Sequence, residues 1–160
     1  MQVLIMRHGD AVPDAVSDAL RPLSERGRDE SRQMAFWLSD QQIDIDRVLV
    51  SPYLRAQQTL SVVQSILSLP EENDCLTELT PGGDAQLVSY YLQTLANEGT
   101  NAVLVVSHLP MVGYLVAALC PEETAPMFAT SAIAKVTVDA QTGHGVLDWK
   151  IGPTQLTPKP

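Results

Sequence analysis

Three short, continuously apolar runs constrain the fold of this chain more than any other feature of its sequence. They lie at residues 3–6 (VLIM), 48–50 (VLV) and 103–106 (VLVV). Unbroken apolar runs of this length are typical of strands that are buried on both faces of a parallel sheet. They therefore predict an α/β fold in which helices cover the sheet.

The segments between these runs change to the hydrophobic period of amphipathic helices. Ser24 and Asp84 are plausible helix starts, whereas Gly99 and Pro121 are plausible stops. The four apolar stripes are Met34, Trp37 and Leu38; Ala56, Leu60, Val63 and Leu67; Leu87, Tyr91 and Leu95; and Val112, Leu115, Val116 and Leu119.

The last part of the chain returns to the period of strands. Apolar and polar residues alternate through residues 134–138 and again through residues 147–151, with a glycine-containing turn between them, which predicts a hairpin that extends or edges the sheet. The order β-α-β-α-loop-α-β-α-β-β predicts a three-layer α/β/α sandwich with a mostly parallel central sheet and an antiparallel C-terminal hairpin. We expect one domain over residues 1–151 and a loose, proline-containing tail over residues 152–160.

Composition excludes several classes of partner. Acidic residues outnumber basic ones by 19 to 10, so the net charge of −9 argues against binding to nucleic acids or to anionic membranes. No apolar run approaches the ~20 residues that span a bilayer, and the first positive charge, Arg7, follows the first apolar run, which is the wrong order for a signal peptide. Cys75 and Cys120 are far apart and in no ligand spacing, which favours a reducing compartment without disulfides. We therefore expect a cytoplasmic protein.

Basic and nucleophilic side chains follow the predicted strands directly. Arg7-His8-Gly9 comes after the first strand, a segment from Ser51 to Arg55 after the second, and Ser107-His108 after the third. Ligands of open α/β sheets bind beyond the carboxyl ends of the strands, so we expect these residues to form one site. Ser51 and Ser107 each precede a nearby proline and are candidate caps for the helices that follow, whose N-termini would favour an anion.

These residue types fit a pocket for a phosphoryl group. Arg7 and Arg55 supply planar, bidentate donors for phosphate oxygens, and Gly9 would let the backbone approach the ligand closely. A neutral imidazole is a competent nucleophile toward phosphorus, and neighbouring guanidinium charges would lower its pKa and keep it neutral. The pattern therefore predicts nucleophilic phosphoryl chemistry at a histidine.

The motifs themselves are familiar. Arg7-His8-Gly9 after a short strand, the pattern Ser51-Pro-x-x-Arg55-Ala-x-Gln-Thr59, and a late Ser107-His108 resemble the histidine phosphatase superfamily, with its phosphoglycerate mutase-like fold. Residues 21–27 (RPLSERG), residues 78–84 (ELTPGGD) and the compact length are similar to the short bacterial branch of phosphohistidine phosphatases.

This resemblance implies a role for each matching residue. His8 would be the nucleophile that becomes phosphorylated, and Arg7, Arg55 and a cationic His108 would surround the phosphoryl group. The position of Glu78 is that of the proton donor in many relatives, and Arg21 would lie at the rim of the pocket.

The resemblance also implies a metal-independent hydrolase, without cofactors, that acts on phosphohistidine in signalling proteins such as histidine phosphotransfer domains or phosphocarrier proteins. The span from Ser51 to Ala102 holds two helices and a loop, with no room for the large lids of bigger relatives, and an open pocket suits a protein-borne phosphate. Three alternatives remain: a phosphomonoesterase for small metabolites, a catalytically dead phosphoprotein-binding module, and a metal hydrolase that uses His8 and His108, although no closely spaced ligand pair is present.

Overall fold

A six-stranded sheet forms the centre of the computed structural model, which describes residues 1–156. The strand order is β3-β2-β4-β1-β5-β6; the first four strands are parallel, and the last two form an antiparallel hairpin at one edge. The strands are β1 (Gln2–Arg7), β2 (Arg47–Val50), β3 (Asp74–Cys75), β4 (Ala102–Ser107), β5 (Ile133–Val138) and β6 (Gly145–Ile151). The mostly parallel sheet and the hairpin are confirmed, whereas β3 lies in the segment that was expected to be a loop.

Helices cover both faces of this sheet, which confirms the three-layer sandwich. Alternate residues of β1 enter different cores: Leu4 packs in the core that contains Met34 and Leu60, and Ile5 packs in the core that contains Leu92. The helices are α1 (Glu25–Asp40), α2 (Leu54–Gln64), α3 (Ala85–Asn97), α4 (Met111–Leu119) and a short α5 (Pro153–Leu156). Helices α1 and α2 lie on one face, and α3 and α4 lie on the other.

Two of the four long helices begin as the sequence predicts, and two do not. The Ser24 side chain accepts from the backbone N–H of Gly27 at the start of α1, and Asp84 caps α3 in the same way. Helices α2 and α4 start later than expected, after Tyr53 and Pro110, and neither has a side-chain cap. The prediction that Ser51 and Ser107 cap these helices is therefore wrong, because short turns separate the two serines from the first helical residues.

The segment that follows the hairpin is partly helical rather than loose. Residues 153–156 form one helical turn that contacts α1, Pro153 is buried, and the backbone N–H of Gly152 donates to the Gln155 side chain. Residues 157–160 of the expected tail lie outside the described residues, and the domain boundary at residue 151 stays a prediction.

The cysteines and the helices can be compared with what the composition predicts. Both cysteines are free thiols: Cys75 is exposed and Cys120 is buried. Within residues 1–156, none of the helices has the length and apolar character that a crossing of the bilayer needs.

Candidate active site

The ends of three neighbouring strands bring the functional side chains together. Arg7 at the end of β1 pairs in register with Ser107 of β4, and Val50 of β2 pairs with Val106 of β4. Their carboxyl ends open into a cavity of about 230 Å³. Its lining residues are Arg7, His8, Asp10, Ala11, Asp18, Arg21, Arg55, Pro81, His108, Leu109 and Thr130. Five of the seven residues that the sequence singled out therefore line one cavity, and Glu78 and Gly9 do not.

The two ring nitrogens of His8 have different partners, which determines its tautomer. Nδ1 lies 2.7 Å from the carbonyl oxygen of Gly9, and because a carbonyl only accepts, Nδ1 must carry the proton. The Nε–H of Arg55 points to Nε2 of the ring at 3.3 Å, so Nε2 presents a lone pair. The buried ring, 7% exposed, is thus arranged with its unprotonated nitrogen beside a guanidinium.

The residues of the Ser-Pro-x-x-Arg motif attach α2 to the loop that carries His8. Arg55, in the first turn of α2, is only 4% exposed. The Thr59 hydroxyl donates to the carbonyl of Arg55 and accepts from the backbone N–H of Gly9. The side-chain oxygen of Gln58 accepts from the backbone N–H of Leu23. The motif therefore fixes α2 against both ends of the connection between β1 and α1, which carries His8 at its start.

Arg7 and His108 each contribute one nitrogen that has a protein partner and one that has none. Nη1 of Arg7 donates to the carbonyl of Phe128 at 2.9 Å, and Nε2 of His108 lies 2.7 Å from Oγ of Ser51. Arg7 Nε and His108 Nδ1 are buried, and among the described residues neither has a hydrogen-bond partner. Buried polar nitrogens normally find partners, so these two atoms fit a site whose ligand supplies acceptor oxygens.

Burial and the arginines keep both imidazoles neutral. Burial lowers the pKa of His8 to about 4, with further lowering from Arg55, Arg7 and Arg21. Burial also lowers the pKa of His108 to about 3, assisted by His8 and Arg55. The expectation of a neutral His8 is confirmed, with burial as a larger cause than the predicted guanidinium charges. A ring that is 1% exposed ionises poorly beside arginines, so His108 is neutral in the pocket as described. The cationic His108 expected around a bound phosphoryl group stays a prediction.

Gly9 is required by helix packing rather than by ligand approach. A Cβ at this position would lie 2.8 Å from the carbonyl oxygen of Gly27, 2.8 Å from Oγ of Ser31 and 3.1 Å from Oγ of Ser131. These are protein atoms, and Gly9 is absent from the lining of the cavity. The structure thus corrects the interpretation of Gly9: its missing side chain lets α1 approach the nucleophile loop.

Glu78 lies in a neighbouring groove instead of in the cavity. The groove is lined by Leu76, Glu78, Leu87, Val88, Tyr90, Tyr91 and Thr94, and Glu78 follows β3 in a single 3-10 turn. Three residues further on, Pro81 reaches the cavity wall. The motif of residues 78–84 therefore borders the site through its proline, and a proton-donor role for Glu78 stays a prediction.

Two carboxylates of the cavity, Asp10 and Asp18, were not singled out from the sequence. Oδ2 of Asp10 accepts from the Ser24 hydroxyl at 2.6 Å, and the Asp18 carboxylate contacts Arg21 and Arg55, each at 3.2 Å. Asp18 lies well beyond the end of β1, so the rule for strand ends does not find it, whereas Asp10 lies close enough to that end for the same rule to have included it. The spacing Asp18-x-x-Arg21 is the only local signal, and it is common on protein surfaces.

The cavity combines the parts that phosphoryl transfer requires. It presents a neutral imidazole lone pair, three guanidinium groups and a second neutral imidazole in one small space. Fixed donors of this kind stabilise the charge on a phosphoryl group that is attacked in line. Within residues 1–156, three or more His, Cys, Asp or Glu side chains nowhere gather as they would around a metal ion.

Comparison with known proteins reveals close relatives. Residues 3–85 match the model of the histidine phosphatase superfamily (branch 1). The chain is 61% identical to the phosphohistidine phosphatase SixA of Escherichia coli (strain K12) over 156 residues, which covers 98% of this chain and 96% of the relative. It is 38% identical to a phosphohistidine phosphatase SixA homolog of Haemophilus influenzae, with 87% of this chain and 89% of the relative covered.

Solved structures agree with these sequence similarities. The structure of the protein histidine phosphatase SixA complexed with tungstate matches with a TM-score of 0.96 and 60% identity, covering 98% of this chain and 100% of that one. A putative alpha-ribazole-5'-P phosphatase from Escherichia coli matches with a TM-score of 0.71 at 19% identity, covering 92% and 94% of the two chains, which is a likeness of fold alone. The phosphoglycerate mutase-like α/β fold is thereby confirmed.

Proposed function

Because the chain belongs to branch 1 of the histidine phosphatase superfamily, we propose that it is a phosphohistidine phosphatase that works through a phosphorylated His8. One observation carries the assignment of the nucleophile: Nδ1 of His8 is bonded to the Gly9 carbonyl, and its Nε2 lone pair lies beside Arg55 in the cavity. The similarity to proteins named phosphohistidine phosphatase SixA supports the substrate class.

The first step transfers the phosphoryl group to His8. The substrate imidazole carries a proton on its other ring nitrogen, as His8 does on Nδ1. The lone pair on Nε2 of His8 forms a bond to phosphorus while the P–N bond of the substrate breaks, and the departing imidazole keeps the electron pair of that bond and leaves neutral. Arg7, Arg55 and His108 stabilise the charge on the phosphoryl oxygens. One P–N bond replaces another, so this step is close to thermoneutral.

The phosphoryl charge also changes the ionisation of the pocket. An anion beside His108 raises the pKa of that imidazole from its depressed value, so the ring can take up a proton when the substrate binds. Water then attacks phosphorus, the bond to Nε2 of His8 breaks, and inorganic phosphate leaves. The neutral His8 is restored for the next cycle.

The leaving group makes a strong general acid unnecessary. A protonated imidazole departs more easily than an alkoxide, so proton donation contributes less to its expulsion. Arg21 and Arg55 hold the pKa of Asp18 below its usual range, so this carboxylate stays ionised and is a poor proton donor. Glu78 remains a candidate donor, and Glu78→Gln should then slow the hydrolysis of phosphate monoesters more than that of phosphohistidine.

The substrate of this proposal is phosphohistidine on signalling proteins, such as histidine phosphotransfer domains or phosphocarrier proteins, and the place of action is the cytoplasm. The predicted absence of a large lid supports a protein-borne substrate, since a phosphohistidine on a protein surface must reach Nε2 of His8. The roles of Arg7, Arg55, His108 and Arg21 at the phosphoryl group form part of the same proposal.

Side-by-side turnover tests the function. A protein carrying phosphohistidine and a panel of phosphate monoesters are offered to the wild-type chain and to His8→Ala. We expect efficient hydrolysis of phosphohistidine by the wild type alone, with tungstate, the oxyanion in the related structure, as an inhibitor. Hydrolysis of monoesters without phosphohistidine activity would contradict the substrate, and the absence of any turnover would favour a module that only binds phosphoproteins.

A further inference from the structure

Asp18 is an acidic residue that lines the cavity proposed to bind an anion. Asp18 opens a single 3-10 turn (Asp18–Leu20) in the loop between β1 and α1. Its carboxylate and its backbone carbonyl both contact a guanidinium of the cavity. A carboxylate placed among the arginines of a phosphoryl pocket needs a physical reason, because it would repel the substrate.

The contacts of Arg55 supply that reason. Nη1 donates to the backbone carbonyl of Asp18 at 2.6 Å, and Nη2 lies 3.2 Å from its Oδ2. Asp18 therefore holds the two terminal nitrogens of the Arg55 guanidinium. In this orientation the Nε–H of Arg55 is directed at Nε2 of His8, 3.3 Å away. The guanidinium is planar and rigid, so fixing its two terminal nitrogens also fixes the direction of its Nε edge.

Asp18 is itself anchored on its other side. Nη1 of Arg21 bonds Oδ1 of Asp18 at 3.2 Å, while Nε of Arg21 donates to the carbonyl of Val12 at 3.0 Å. The two carboxylate oxygens thus bridge two arginines, and the chain of contacts runs from the backbone of the loop through Arg21 and Asp18 to Arg55. The Arg21 side chain, expected at the rim of the pocket, is part of this support.

We propose that Asp18 is a positioning residue that orients Arg55 so that its Nε edge meets the phosphoryl group on Nε2 of His8. The inference rests on the proposed function, since it assigns a role in the same reaction. Asp18 acts through Arg55 and not on the substrate. Its negative charge opposes substrate binding slightly, and its benefit is realised during phosphoryl transfer.

This combination produces a characteristic kinetic signature. Asp18→Ala removes the carboxylate that holds Nη2 and leaves only the backbone carbonyl of residue 18 to hold Nη1. The guanidinium can then rotate, so kcat should fall roughly 10- to 100-fold, the usual effect of a misplaced catalytic group. KM should change little or decrease, because a negative charge has left the pocket. Asp18→Asn keeps one acceptor for a guanidinium and should retain more activity than Asp18→Ala.

The decisive experiment is a double-mutant cycle with Arg55. Wild type, Asp18→Ala, Arg55→Ala and the double variant are compared by kcat and KM on a protein that carries phosphohistidine. We expect the loss caused by Asp18→Ala to vanish when Arg55 is already alanine. Asp29→Asn is the matched control: Asp29 pairs with Arg32 at the same i,i+3 spacing and similar exposure, but on α1, and this change should leave kcat unaltered.

Each other outcome overturns the inference. An equal loss in both Arg55 backgrounds would mean that Asp18 acts independently of Arg55, and a lower KM with unchanged kcat would make it only a competitor of the substrate. A lower melting temperature of Asp18→Ala with an unchanged kcat would mean that Asp18 stabilises the fold and does not orient Arg55. The activity of the wild type tests the proposed function separately. If the wild type hydrolyses monoesters alone, the proposed function fails, and the double-mutant cycle is measured with a monoester as substrate. If it hydrolyses neither substrate, both proposals fail.

Discussion

At the scale of single residues, the position of one proton determines whether His8 can attack phosphorus. The Gly9 carbonyl holds that proton on Nδ1, and the Nε–H of Arg55 is compatible only with a lone pair on Nε2. Burial, with the help of the guanidinium groups, lowers the pKa of the ring to about 4. The proposed nucleophile is therefore unprotonated on Nε2 throughout the neutral range and needs no general base to activate it.

This arrangement predicts the behaviour of the imidazoles in a titration. Because a lowered pKa means that protonation begins only well below the usual value near 6.5, His8 and His108 should remain neutral from pH 8 down to about 5.5. In 15N-histidine NMR, His8 should show the pattern of a ring that is protonated on Nδ1, and the variants His8→Ala and His108→Gln assign the signals. A His8 signal that titrates between pH 6 and 7 would contradict the description of the site.

The residues that sequence reasoning could identify share one property: they adjoin the buried strands or belong to a recognisable motif. Arg7, His8 and His108 fall into this group, and Arg55 lies on the first turn of the next helix. Asp18 could not be identified in this way, because its contact with Arg55 joins positions 37 residues apart through an irregular loop. The interpretation of Gly9 was wrong because a glycine in the sequence does not reveal which atoms occupy the space beside it.

At the scale of elements, the start of α1 and the nucleophile loop form one unit. The Ser24 hydroxyl caps α1 and also donates to Oδ2 of Asp10, so the same side chain closes the helix and fastens the loop. A Cβ on Gly27 would lie 2.1 Å from the carbonyl oxygen of Asp10. The first turn of α1 therefore packs directly against the backbone that follows His8.

Gly27→Ala tests this contact. The added methyl group cannot fit against backbone, so α1 and the loop must separate, which should lower the free energy of unfolding by about 1–3 kcal/mol and reduce kcat as well. Chemical denaturation and steady-state kinetics measure the two effects. Gly82→Ala is the control, since a Cβ there meets no atom within 4 Å, and equal effects of both changes would refute the packing argument.

Hydrophobic periodicity predicts the helices and strands that are long enough to show a repeating pattern of apolar residues. The four long helices and the three apolar strands have clear patterns, and the final hairpin alternates as a half-buried strand pair should. Strand β3 has two residues and α5 has four, so neither contains enough positions for a pattern. The starts of α2 and α4 were misplaced because a serine near a proline also occurs in the turns that precede a helix.

At the scale of the whole molecule, the net charge and the charge of the cavity have opposite signs. The chain carries −9, yet three of its ten basic residues, Arg7, Arg21 and Arg55, line one cavity of about 230 Å³. Charges on the remaining surface are screened by salt over about 8–10 Å, whereas groups in contact with the ligand are not. An acidic protein can therefore bind an anion at a local site.

The two depressed histidine pKa values also affect the stability of the fold. The unfolded chain binds protons on both residues as the pH falls through about 6.5, but the folded chain does so only near 4 and 3, so protons favour unfolding. The free energy of unfolding is therefore highest above pH 6.5 and decreases as the pH falls toward 4. Each histidine contributes a slope of up to about 1.4 kcal/mol per pH unit to this decrease.

The variant His108→Gln should halve the slope of the free energy of unfolding against pH. The effect is measured between pH 6.5 and 5.5, where carboxylates contribute least to this slope. Urea denaturation at several pH values measures the slope independently of any overall loss of stability in the variant. A slope that does not change in His108→Gln would contradict the buried, neutral imidazole.

The central claim is that His8 carries the phosphoryl group during turnover, and trapping the phosphoenzyme tests it most directly. The wild-type chain and His8→Ala are mixed with a phosphohistidine protein whose phosphoryl group is labelled, and portions are quenched within milliseconds in acid or in alkali. We expect label on the wild-type chain that survives alkali and is lost in acid, with none on His8→Ala. Label that survives acid, or that persists on His8→Ala, would contradict a phosphorylated His8.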